Sequence, residues 1–141
     1  MNEIYVAGRA DIEAGLVIRG SYIVISIRDP GSRVPRIAKR AGMRAVLRLK
    51  FHDMEPPTSG RPANDSLVPM SVADARRVWR FVDQYAAEVD ALVVHCEQGA
   101  SRSPAVAAAV IEVYGLVRPE WMQWAQPNRY VYQTMLNARA K

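Results

Sequence analysis

The chain has one cysteine, Cys96, and two histidines, His52 and His95. A lone cysteine excludes an intrachain disulfide, and this set is too small for a Cys/His zinc cluster. Long hydrophobic runs are also missing. The longest strongly apolar stretch, Ala105 to Ile111, falls far below the roughly 20 residues that span a bilayer. Glycine (8) and proline (9) are too scarce in 141 residues for a low-complexity chain. The first residues, MNEIYVAGRAD, lack a basic start followed by an apolar stretch, so no signal peptide is expected and the expected setting is the cytoplasm. Half of the residues are hydrophobic, which excludes disorder. A chain of this length is expected to form one domain, residues 1–141. It can bury about 68–70% of its unfolded surface without a metal or disulfide.

The net charge of +5 is unevenly placed. Residues 28–50 hold eight bases (Arg28, Arg33, Arg36, Lys39, Arg40, Arg44, Arg48, Lys50) against one acid, Asp29. Two readings stand: a solvated face, or a positive rim that draws in an anionic ligand. Nucleic acid fits less well, because no aromatics are interleaved and no nucleic-acid motif is present.

Apolar runs alternate with helical patterns, the sign of an α/β domain. Strands are expected at Ile4–Val6, Tyr22–Ile27, Ala45–Phe51 and Ala91–Val94. A central, mostly parallel sheet of four to five strands flanked by helices follows. Tyr22–Ile27 is apolar on both faces and ends in Arg28-Asp29-Pro30-Gly31, a turn signal. Asp11–Arg19 is open between helix and turn, and Pro35–Arg40 is a candidate short helix. The stretch Asp53–Pro69 has five prolines or glycines and no periodicity, so it is expected to be a long loop. Ser71 looks like an N-cap with Asp74 three residues on, opening a helix to Glu88 with Val72, Ala75, Val78, Val82 and Tyr85 on one face. Ala105–Tyr114 is expected as a core helix. Trp121, Trp124, Tyr130 and Tyr132 lie in a helical C-terminal region where packing is their expected role.

Between the last strand and the core helix stands His95-Cys96-Glu97-Gln98-Gly99-Ala100-Ser101-Arg102-Ser103. A strand–loop–helix unit of this kind points backbone N–H groups inward above a helix N-terminus, a cup for a tetrahedral oxyanion. Gly99 supplies the positive φ of a tight loop. Pro104 falls in the first helical turn, where a missing N–H does no harm. Arg102 offers a planar fork to two phosphate oxygens. The positive field that holds a phosphate dianion also stabilises a thiolate.

This run resembles the His-Cys-x-x-Gly-x-x-Arg-Ser signature of the cysteine-dependent tyrosine and dual-specificity phosphatases, with all five specified positions matched. The small size resembles the compact dual-specificity group or the small bacterial tyrosine phosphatases. The low-molecular-weight tyrosine phosphatases match poorly, since their signature opens the chain. The resemblance implies that Cys96 attacks phosphorus to give a cysteinyl-phosphate. It implies that Arg102 and the N–H groups of Glu97, Gln98, Gly99, Ala100, Ser101 and Arg102 hold the phosphate oxygens. Ser103 would assist the sulfur as leaving group, and His95 would orient the loop from outside. No metal or organic cofactor is implied.

The family also uses an aspartate on a separate loop as general acid. Asp53 directly follows the third strand, and ligand-facing groups of parallel sheets lie beyond the carboxyl ends of strands. Asp65 is the alternative, at a separation from Cys96 nearer the usual spacing, inside an Asn-Asp-Ser cluster that also suits a plain turn. Glu55 comes third, and His52 is expected to pack at a strand end. Pro127-Asn128 resembles a dual-specificity feature in which the asparagine braces the phosphate loop; helix capping is its alternative role. Gln133 sits one position early for that pattern. The expected activity is hydrolysis of phosphomonoesters, foremost phosphotyrosine in proteins, with dual specificity open. RNA 5′-end, nucleotide and phosphoinositide phosphatases, and a phosphate-binding module without turnover, are the alternatives.

Overall fold

The structure is a computed structural model that describes residues 1–56 and 66–140. Four strands are present among the described residues: β1 (Glu3–Gly8), β2 (Tyr22–Arg28), β3 (Met43–Lys50) and β4 (Ala91–Cys96). All are parallel, in the order β1-β4-β2-β3. The helices are α1 (Arg9–Glu13), α2 (Val72–Tyr85), α3 (Arg102–Tyr114) and α4 (Arg129–Arg139), with a 3₁₀ turn at Glu120–Gln123.

Period-two alternation sorts the sheet into two faces. Ile23, Ile25, Ile27, Leu92 and Val94 join the larger core with Ala75, Val78, Val82, Val106, Val110, Val131 and Met135 from α2, α3 and α4. Tyr22, Val24, Ala91 and Val93 face the other way, onto Ile12 of α1 with Leu16, Ile18 and Ile37. Both faces of β2 and β4 are therefore covered, which is why their sequences are almost wholly apolar. Helix α2 opens with a capping box: the Asp74 N–H donates to Ser71 Oγ and the Ser71 N–H to Asp74 Oδ2, each at 3.0 Å. Val72 lies on the exposed side of that helix, and the helix stops at Tyr85, three residues before Glu88.

The short helix expected at Pro35–Arg40 is absent. Parallel pairing of β2 with β3 requires the chain to return along the full length of β3, about 26 Å for eight residues. As helix the six residues 35–40 would cover only about 9 Å, against about 20 Å when extended. The crossover is irregular instead, seating Ile37 against the sheet while Arg48 Nη1 donates to Pro35 O. It also carries the basic segment from one edge of the sheet to the other. Arg28 and Lys50 end their strands at the carboxyl edge, whereas Arg40 and Arg44 bond to Gly15 O and Ala41 O. Only part of the +7 segment therefore borders the carboxyl ends of the strands, and the continuous positive rim is not formed.

Candidate active site

The carboxyl ends of β2, β3 and β4 converge on a cavity of about 310 Å³. It is lined by Asp29, His52, Asp53, Cys96, Glu97, Gln98, Ala100, Ser101 and Arg102. A larger cavity of about 640 Å³ lies between α3, the 3₁₀ turn and α4. None of the motif residues borders it, so chemistry rather than volume selects the smaller one.

Cys96 ends β4 and is 2% exposed. Its Sγ lies 3.2 Å from Ser103 Oγ, and the Gly99 N–H donates to it at 3.2 Å. The Ser103 hydroxyl and the Gly99 N–H thus both meet the sulfur. Gly99 has φ of +74°, and a Cβ there would come within 2.7 Å of the Ala7 carbonyl carbon. Only glycine meets both demands. The start of α1 clamps the loop from outside, where the Arg9 N–H donates to Glu97 O at 2.9 Å.

Arg102 opens α3, and its Nη1 donates to Asp29 Oδ1 at 2.7 Å and to Phe51 O at 2.6 Å. Asp29 follows β2 and Phe51 follows β3, so two strand ends fix one nitrogen of the fork. The Nε of Arg102 is buried and has no hydrogen-bond partner among the described residues. A buried donor without a partner costs roughly 1–3 kcal/mol, and an anion in the cup would remove that cost.

His95 does not line the cup. Its Nε2 is 2.6 Å from Ser26 Oγ and its Nδ1 is 3.3 Å from Cys96 O. A carbonyl only accepts, so Nδ1 carries the proton and Nε2 accepts from Ser26. Burial is the main cause that lowers its pKa below 6.5, which keeps the ring neutral.

Asp53 stands on the opposite wall. Its Oδ1 accepts from Ser101 Oγ at 2.9 Å and from Asn128 Nδ2 at 2.8 Å. Asn128 also donates to Met54 O and, through Oδ1, caps α4 by accepting the Val131 N–H. Its backbone N–H reaches Ser101 O at 3.0 Å. One asparagine therefore caps a helix and ties the Asp53 segment to the Cys96–Arg102 loop. Asp65 lies outside the described residues.

Three residues contribute more than their sequence suggested. Asp29 reads as part of a turn, yet it anchors Arg102; its place at the carboxyl end of a parallel strand was the available signal. His52 lines the cup, and its Nδ1 accepts the Val68 N–H at 2.8 Å, which puts its ring proton on Nε2. Arg9 bridges Glu97 at 3.2 Å and Glu13 at 3.6 Å. Trp124, expected to pack, is 67% exposed.

A four-stranded parallel sheet with a Cys-x5-Arg loop between its last strand and a buried helix is the fold of the small dual-specificity-type cysteine phosphatases. Among solved structures, the chain is similar to human DUSP28, at 18% identity and TM-score 0.60, over 99% of this chain and 93% of that one. It is equally similar to a human tyrosine phosphatase-like serine/threonine/tyrosine-interacting protein, at 15% identity and TM-score 0.60, over 97% and 91%. PTPMT1 in complex with PI(5)P matches at 18% identity and TM-score 0.56, over 98% and 92%. No family model matches the chain, and no curated protein does.

Proposed function

We propose that this protein is a phosphomonoester phosphatase that works through a cysteinyl-phosphate, with phosphotyrosine in proteins as its foremost substrate. The observation that carries the reading is the state of Arg102. One of its nitrogens is bound by Asp29 and Phe51 O, and its buried Nε has no hydrogen-bond partner among the described residues. The arrangement suits a tetrahedral dianion whose oxygens would take the free face of the guanidinium and the loop N–H groups.

The steps follow from the proposed roles. The Cys96 thiolate attacks phosphorus, the ester P–O bond breaks, and the leaving oxygen takes the proton of Asp53. Water then attacks the phosphoryl group and gives its proton to Asp53. The S–P bond breaks, and Ser103 stabilises the returning thiolate through its hydrogen bond. Arg102 and the helix N-terminus balance the charge spread over the three equatorial oxygens. The cup has no lysine between Cys96 and Arg102, which favours a substrate with a single phosphate.

A phosphate-binding module without turnover would share this fold. Hydrolysis of p-nitrophenyl phosphate separates the two. Wild type is expected to turn it over and Cys96→Ser is expected to be inactive. Tight phosphate or tungstate binding without hydrolysis by wild type would establish the module instead.

A further inference from the structure

A second recess opens beside the cup. Its volume is about 330 Å³, and it is lined mostly by apolar surface from Val6, Ala100, Trp121, Trp124 and Ala125, with Gln126 at its edge. Ala100 is the wall common to both cavities. From the geometry we infer that this recess receives an apolar side chain of the substrate polypeptide, next to the phosphorylated residue. The inference rests on the phosphatase reading of the cup.

The recess is fixed in place relative to the phosphate loop. Trp121 Nε1 donates to Ile4 O at 3.1 Å, and its ring packs against the main core. The Gln126 N–H donates to Ala100 O at 3.3 Å, which ties the far wall to the loop itself. Trp124, by contrast, is 67% exposed. An indole face left in water beside a binding cup gains contact area when an apolar group covers it. One residue of extended chain spans about 3.3–3.6 Å, so a neighbour one or two positions away crosses the width of one alanine.

Charge selects the occupant. Three carboxylates line the cup against one arginine: Asp29 is paired with Arg102, Glu97 with Arg9, and Asp53 is bonded to the neutral Ser101 and Asn128. A second phosphate close to the first would meet these carboxylates, which disfavours a polyphosphorylated lipid headgroup or a nucleic-acid backbone. An apolar side chain meets no such penalty.

The test uses phosphotyrosine peptides that differ only by Leu, Ser or Asp at each position flanking the phosphotyrosine. Wild type is expected to prefer a Leu peptide over its Ser counterpart by about tenfold in kcat/KM, mainly through KM, equal to about 1.4 kcal/mol. In Trp124→Ala the Leu-to-Ser ratio is expected to collapse to about one, and Trp124→Phe is expected to restore most of it. Hydrolysis of p-nitrophenyl phosphate by wild type with no Leu preference overturns this inference alone. A preference that survives in Trp124→Ala also overturns it. So does a Trp124→Ala defect confined to a 5′-phosphorylated oligoribonucleotide. A wild type inactive on p-nitrophenyl phosphate overturns both this inference and the phosphatase reading.

Discussion

At Arg102, one nitrogen is held and another is left for a ligand. Asp29 does the holding, through a charge-assisted bond at the mouth of the cup. Asp29→Asn removes the charge while keeping the shape. It is expected to lower kcat/KM on p-nitrophenyl phosphate by roughly 10- to 100-fold, the range set by a bond to a charged group. A matching loss in phosphate affinity is expected, because the guanidinium would no longer be fixed. Asp53 is a different kind of residue, since its proposed work is proton transfer. Asp53→Asn is expected to cost roughly 10²- to 10⁴-fold in kcat with a poor leaving group such as phenyl phosphate, and far less with a good one. An unchanged kcat on phenyl phosphate would pass the role to Asp65. Cys96, Arg102 and Ser103 were legible because the motif fixes residue types at fixed spacing. Asp29 was not, because its partner is 73 positions away. A turn-forming Asp-Pro-Gly run hides a charge that only the parallel sheet brings to Arg102.

Among the elements, the phosphate loop is the one whose shape cannot be relaxed. Gly99→Ala combines a positive φ with a backbone clash against Ala7 and Gly8. It is expected to lower Tm and to abolish phosphate binding, since the loop must move away from β1. Ser71→Ala is the contrasting case. It removes one side of the capping box of α2, which does not line the cup, and is expected to cost about 1 kcal/mol. For a chain of this size, that corresponds to a fall in Tm of about 3 °C with kcat retained. The strands and the long helices were legible from apolar periodicity because each buries a continuous face. The crossover between β2 and β3 was not, because its extension is set by the distance it must span. Trp124 misled for a related reason. Aromatic spacing marks a helical region but does not say which side of a single 3₁₀ turn meets the core.

For the whole molecule, three titrations bound the pH range of stability. His95 is kept neutral mainly by burial, so the unfolded chain binds its proton more readily. Stability from this residue is present above about pH 6.5 and falls as pH drops below it, by at most about 1.4 kcal/mol per unit. At lower pH, Glu13 is held down to about 2, first by the hydrogen bond from Arg33 and then by the Arg36 backbone N–H. Its contribution is lost as pH falls from about 4.5 toward 2. At the alkaline end, burial and then the bond to Asp83 push Tyr114 up to about 12, so its contribution is lost above about pH 10. Tm is therefore expected to fall between about pH 7 and pH 5, and the fall is expected to be smaller in His95→Gln. An equal fall in both proteins would remove His95 from the account.

The same global view corrects the reading of charge. The basic segment runs from the end of β2 through the crossover and β3, and its Arg33 is paired with Glu13 at 2.9 Å. Attraction for the substrate therefore rests on the cup more than on a rim. The most direct test of the proposed cysteinyl-phosphate route is the mass of the protein quenched in acid during turnover of a phosphotyrosine peptide. One added phosphoryl group is expected on Cys96 in wild type, less of it in Asp53→Asn because its first step is slowed with this poor leaving group, and none in Cys96→Ser. Undiminished hydrolysis by Cys96→Ser, or a phosphoryl group on any other residue, would contradict the account.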